Sequence, residues 1–158
     1  EFAVRMLGKY KEKEFKSVSD SGDIGIEDKK ESREKESGDD KKLLEAAKEV
    51  LKDKVKDVRL SKKLKSHAVC ITTEGEMSME MEKVIRQMPN SEGIKADKVL
   101  EINPAHKVYE VLKAANSGDK EKFRLIVNIL YNQALLIEGV LPDDTVEFAD
   151  SISRLIAG

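Results

Sequence analysis

The sequence predicts an α+β domain in which a small sheet of three short strands is held in a helical frame. Three observations predict it. Segments 57–61, 67–73 and 98–102 are short, rich in β-formers and bounded by polar residues or breakers. Apolar residues recur at helical spacing over 43–55, 123–137 and 148–156. The last two helical segments are joined by about five residues around Gly139 and Pro142, which favours antiparallel packing of a C-terminal hairpin.

Taken in order, FAVRMLGKY (2–10) predicts a short helix and EFKSVS (14–19) a short strand. Of the sixteen residues 27–42, thirteen are charged, seven acidic and six basic, and none is apolar. Such a run buries nothing, so it reads as a solvated linker or a frayed helix. The expected division is therefore an N-terminal piece over 1–19, a charged linker over 20–42 and the main domain over 43–158. Leu43, Leu44, Ala47, Val50, Leu51 and Val55 share one face of an amphipathic helix of about four turns that starts near Asp40. DVRLS (57–61) and HAVCITT (67–73) follow as strands, and GEMSMEMEKVIRQM (75–88) as a helical segment stopped by PNSEG (89–93). KVLEI (98–102) alternates as the third strand. Asn103-Pro104 predicts a helix start, with Asn as cap and Pro at the first helical position. That helix runs to about Ala115 and stops in NSGD (116–119). A long helix covers 119–138 and is closed by Gly139 and Pro142. Asp144 or Thr145 caps the last helix, whose stripe is Phe148, Ala149, Ile152, Leu155 and Ile156.

Composition narrows the function classes. The 158 residues suffice for one domain, or a domain with a tail. The chain opens at Glu1-Phe2 rather than at a methionine, which suggests a piece of a longer protein, and no signal peptide is visible. A net charge of −2 argues against a nucleic-acid binder held by bulk electrostatics. The longest apolar stretch, Phe123–Val140, is interrupted by Arg124, Asn128, Asn132, Gln133 and Glu138, so no membrane span is expected. A single cysteine allows no internal disulfide and suits a reducing, cytoplasmic location.

Two apolar surfaces stand out. Helix 119–138 is apolar over more than one face, with Leu125, Ile126, Ile129, Leu130, Leu136 and Ile137 spread around it. Either the last helix covers the surplus, or two copies of the hairpin form a four-helix bundle across a two-fold axis. Burying a large apolar side chain yields about 1.5–3 kcal/mol, so four per chain could outweigh an association cost of about 4–15 kcal/mol. The second surface holds four of the chain's five methionines. Met77, Met81, Val84, Ile85 and Met88 fall on one helical stripe, while Met79 points elsewhere, among Glu80, Glu82 and Lys83. The stripe reads equally as core packing or as an exposed adhesive face, because methionine serves both.

Other constellations carry little. His67 and Cys70 would point to opposite faces of a strand, and with one further histidine (His106) and no second cysteine they make no zinc site. Cys70 reads as a small buried hydrophobe. Glu74, Glu76, Glu80 and Glu82 read as a solvated face. Arg59, Lys62, Lys63 and Lys65 lack neighbouring aromatics and read as a solvated strand edge rather than a nucleic-acid site. No glycine loop followed by Lys-Ser or Lys-Thr is present, and no acid, base and nucleophile converge, so no catalytic residue, metal or cofactor is expected in this chain.

Five pieces in order, FAVRMLGKYKEKEFKSV (2–18), VKDVRLSKKL (55–64), EMSMEMEKVIRQM (76–88), VLEINPAHKVYEVLK (99–113) and LYNQALLIEGVLPDDTVEFADSISRLI (130–156), resemble the C-terminal domain of the ninety-kilodalton heat-shock chaperones, in the bacterial HtpG form. The resemblance covers about Phe2 to Leu155. It implies a stress-response chaperone that works as a homodimer, with the final hairpin joining the chains through Leu130, Leu135, Leu136, Phe148, Ile152, Leu155 and Ile156. It implies that Met77, Met81, Val84, Ile85 and Met88 contact non-native client proteins. It places ATP and Mg in the N-terminal domain of the full-length protein, so no ATPase activity is expected here, and other chaperones are further partners. It also implies that 2–18 is the passage from the middle domain. The bacterial form lacks the acidic MEEVD tail of eukaryotic relatives, which the ending RLIAG suits. The alternative is a plain structural dimerisation module with the methionine stripe in its own core.

Overall fold

The computed structural model describes residues 9–10, 13–14, 37–75, 77–88 and 95–158. Strand β1 (Lys9–Tyr10) pairs antiparallel with β2 (Lys13–Glu14), so the predicted helix over 2–10 does not extend through its last two residues; 2–8 and 15–19 lie outside the described residues. Helix α1 (Gly38–Val50) begins with a reciprocal cap. The Asp40 N–H donates to Ser37 Oγ at 3.2 Å, and the Ser37 N–H donates to Asp40 Oδ2 at 3.3 Å. The helix thus starts inside the charged run, close to the start expected near Asp40, with Ser37 as its cap. Leu43, Leu44, Ala47 and, past its end, Leu51 and Val55 are buried.

Strands β3 (Asp57–Leu60), β4 (Val69–Glu74) and β5 (Asp97–Ile102) form one mixed sheet in the order β3-β5-β4. The last strand in sequence is therefore central, parallel to β3 and antiparallel to β4. This corrects the simple alternation expected of KVLEI: Lys98 to Ile102 are all buried. One face, with Val58, Val69, Ile71, Leu100 and Ile102, joins the apolar core. On the other, the buried Glu101 carboxylate accepts from the Ser61 hydroxyl at 2.7 Å and from the Thr72 hydroxyl at 3.3 Å.

Helix α2 (Met79–Arg86) lies between β4 and β5 in the chain and is capped by Ser78, whose Oγ accepts from the Met81 N–H at 3.2 Å. Helix α3 (Lys107–Gly118) starts later than expected. His106 is its cap, with Nδ1 accepting from the Val108 N–H at 3.2 Å. Asn103 serves as an internal brace instead: its Nδ2 donates to the carbonyls of His67 (3.0 Å) and Lys65 (3.4 Å), and its Oδ1 accepts from the Ala105 N–H at 3.0 Å. NSGD is no loop either. α3 continues through Gly118, and Asp119 alone ends it and caps α4 (Lys120–Ile137), accepting from the Lys122 N–H at 2.9 Å.

α4 buries Phe123, Ile126, Val127, Leu130, Tyr131, Ala134 and Leu135, the i, i+3, i+4 face of a core helix. It ends in a Schellman turn: the Val140 N–H bonds to the Leu135 carbonyl (2.9 Å) and the Gly139 N–H to the Leu136 carbonyl (3.0 Å). Gly139 takes φ +71°, where a side chain would be strained. α5 (Thr145–Ala157) is capped by Asp144, whose Oδ1 accepts from the Glu147 N–H at 2.8 Å, and it packs on α4. One core, built from α1, α3, α4 and the three-stranded sheet, joins these elements, with Phe123, Leu112, Leu100 and Ile102 fully buried in it. Among the described residues no helix is long and apolar enough to cross a membrane.

Candidate functional site

Two surfaces emerge, and in both the structure sorts residues that share a stripe in the sequence. α5 has an apolar stripe, yet its one buried residue is Ser151. Its small side chain faces the domain, Leu155 packs against the core from the side, and the other large apolar ones are not fully buried. Phe148, Ile152 and Leu155 are half-buried, and Ile156 is 81% exposed. Val146 (69%) and Leu141 (72%) add to this surface, as do Leu136 and Ile137 at the end of α4. A groove of 620 Å³ lies along α4 and α5, with Leu125, Asn128, Asn132, Ser151 and Leu155 in its wall. α5 does not seal the surplus apolar side of α4. Two of the seven residues expected at a chain-chain interface, Leu130 and Leu135, are instead buried in the core of this chain. They belong to the inner face of α4, so they support the hairpin from within and leave Leu136, Phe148, Ile152, Leu155 and Ile156 as the accessible set.

The methionine helix is sorted the other way. Met79, expected among the charges, is the methionine that enters the core. Met77, Met81 and Ile85 are half-buried, Val84 is 41% exposed and Met88 is 55% exposed. Glu82, one turn on and on the same face as Met79, is buried against Lys98 of β5. Lys83 donates to the Glu138 carbonyl at the C-terminus of α4, so α2 touches the start of the α4–α5 connection. Burial, and then the neighbouring Glu80, push the Glu138 carboxyl above its ordinary range.

Sequence reasoning missed Met79, Glu82 and Lys98 as a set. The available signal was an acid three residues from a methionine, together with a lysine inside a β-rich segment. No group of acids, histidines and cysteine among the described residues is arranged to hold a metal. The Cys70 thiol is pushed up to about 12, first by burial and then by the Glu101 carboxylate, so it is a poor nucleophile at neutral pH. Arg59 does not stand in a free basic patch, since it donates to Glu74 and holds that carboxyl below its usual range.

Comparison with known proteins identifies the family of this chain. The Hsp90 protein family matches residues 1–158. The chain belongs to the Hsp90 family. Its relatives include chaperone protein HtpG of Clostridium botulinum strain Langeland, 56% identical over 158 residues. The HtpG proteins of Oceanobacillus iheyensis (57% over 157 residues) and Bacillus subtilis strain 168 (55% over 159 residues) are similarly close. Each comparison covers 99% of this chain and 25% of the relative. The chain thus spans about a quarter of the length of the curated Hsp90-family relatives it matches.

Proposed function

We propose that this chain is the C-terminal dimerisation and client-contact domain of a cytoplasmic, ATP-dependent Hsp90-type chaperone, the kind named HtpG in its relatives. It acts through surfaces rather than chemistry. ATP and its metal belong to other parts of the full-length protein, and this domain raises the effective concentration of the two copies of those parts for one another. The observation that carries the reading is α5, an apolar helix of which only a serine is fully buried by its own chain and whose Val146 and Ile156 are 69% and 81% exposed. Leu136, Phe148, Ile152, Leu155 and Ile156 then meet their counterparts in a four-helix bundle. Five such residues from each chain, at about 1.5–3 kcal/mol each and with half their area already covered, supply about 7.5–15 kcal/mol, the same range as an association cost of about 4–15 kcal/mol.

Non-native polypeptides, from client proteins or handed over by other chaperones, are held on the outer face of α2. Met81, Val84, Ile85 and Met88 offer polarizable apolar contact that fits many sequences, with Met77 at its edge. The partial exposure of this face favours direct client contact over a purely structural module. Sedimentation equilibrium tests the dimer. The wild-type chain is expected to be dimeric and Ile156→Glu, altered at an exposed position, a folded monomer. A monomeric wild type, or a dimer untouched by both Ile156→Glu and Leu136→Glu, would refute it. Serine at Met81 and Ile85 is expected to abolish capture of reduced, carboxymethylated lactalbumin while the dimer persists.

A further inference from the structure

The methionine helix places one apolar side chain, Met79, fully in the core, with Met81 and Ile85 half-buried beside it. Among the described side chains of α2, only Met79 and Glu82 are buried, on one face and one turn apart. Glu82 and Lys98 are 3% and 5% exposed, and the Lys98 ammonium donates to both carboxylate oxygens at 2.6 and 2.8 Å. The Ala96 N–H adds a third bond to Glu82, at 2.8 Å. Among the described residues this is the one ion pair buried on both sides. A second contact comes from Lys83, which supplies a cation to the C-terminus of α4, whose own last turn has none. Gly75, at φ +87°, is where the chain leaves β4 towards this helix.

A buried ion pair behaves asymmetrically. Removing one partner strands a charge in a dry site, whereas replacing both with apolar groups of similar volume is tolerated. Here the carboxylate deprived of its lysine would sit on a two-turn helix of which, among the described side chains, Met79 is the one apolar residue fully buried. Moving that element into water relieves the charge at less cost than unfolding the core of α1, α3, α4 and the sheet. We propose that Glu82 and Lys98 are positioning residues, forming a latch that holds α2 on the sheet as a unit that opens separately from the domain. With the latch closed, α2 offers a partner only the face of Met81, Val84, Ile85 and Met88, and Met79 becomes available when it opens. This last consequence rests on the client reading above; the latch does not.

Amide hydrogen exchange on the full chain tests it, in wild type, Lys98→Met and the double variant Glu82→Met, Lys98→Met. Lys98→Met is expected to speed exchange across 81–86 about a hundredfold while amides of α4 keep their wild-type rates. The double variant, with no charge left to strand, is expected to bring 81–86 back to within about tenfold of wild type. The proposal is overturned if Lys98→Met leaves α2 unchanged. It is overturned equally if α2 and α4 accelerate together, global unfolding included, or if the double variant leaves α2 unprotected. No client enters this measurement, so its failure and failure of the client reading are separate results.

Discussion

Replacing Asn103 tests whether the EINP segment braces a loop rather than starting a helix. Asn103 is 1% exposed and joins three places at once. Its amide donates to the carbonyls of His67 and Lys65, in the loop before β4, and its oxygen accepts from the Ala105 N–H. Asn103→Ala removes two good hydrogen bonds and one long one. At a net of about 1 kcal/mol for each good bond, with the cavity left by the amide added, the loss is about 2–3 kcal/mol. It stays at that level because Lys65 and His67 are themselves exposed, and water can re-solvate their carbonyls. Asn103→Asp is expected to cost more than alanine near neutral pH. It keeps the bond from Ala105 but turns a carboxylate towards two carbonyl oxygens in a buried site. A helix cap would give the opposite order, since Asp caps as well as Asn. Urea unfolding followed by circular dichroism measures both losses, and trypsin cleavage at Lys62, Lys63 and Lys65 reports the loop, which should be cut faster in Asn103→Ala. A loss below about 0.5 kcal/mol for alanine, or an aspartate variant as stable as wild type, would refute the brace.

Two further outcomes follow from the titrating groups. The Tyr109 hydroxyl donates to Asp40 at 2.6 Å and is the first cause holding that carboxyl below its ordinary 3.8, ahead of the Ser37 contacts and Lys113. Because the folded value is depressed, the stability it confers is present above pH 3.8 and is lost as pH falls through the folded value. Tyr109→Phe should therefore cost about 1.5–3 kcal/mol at pH 7 and flatten the acid limb of the stability curve; an unaltered limb would assign it to other carboxylates. Cys70, raised to about 12 by burial and then by Glu101, should react with a thiol reagent at pH 8 about a thousandfold more slowly folded than in urea. Native labelling within about tenfold of the unfolded rate would mean the thiol is freely ionised.

The sequence by itself determined the class, the strands and the ends of the last two helices, because those depend on local chemistry. Asp119 and Asp144 can cap from wherever the chain places them, and Gly139 can take a positive φ that other residues resist. The five ordered fragments likewise carried the family before any fold was in view. Coverage was decided only by the tertiary structure. Periodicity shows that a stripe exists and not what lies over it. On the methionine helix Met79 enters the core beside the buried Glu82–Lys98 pair, while the stripe is divided between half-buried Met77, Met81 and Ile85 and exposed Val84 and Met88. Leu130 and Leu135 went to the core of their own chain, because α4 has two apolar sides and the sheet and α3 take one of them. KVLEI is the central strand, paired on both edges by β3 and β4, with Leu100 and Ile102 in the core on one face and Glu101 held by Ser61 and Thr72 on the other. Asn103 braces a loop because β5 brings it beside residues 65–68, more than thirty-five positions away in sequence for the carbonyls it holds at Lys65 and His67. Each of these is a contact between segments distant along the chain, and no local pattern encodes it.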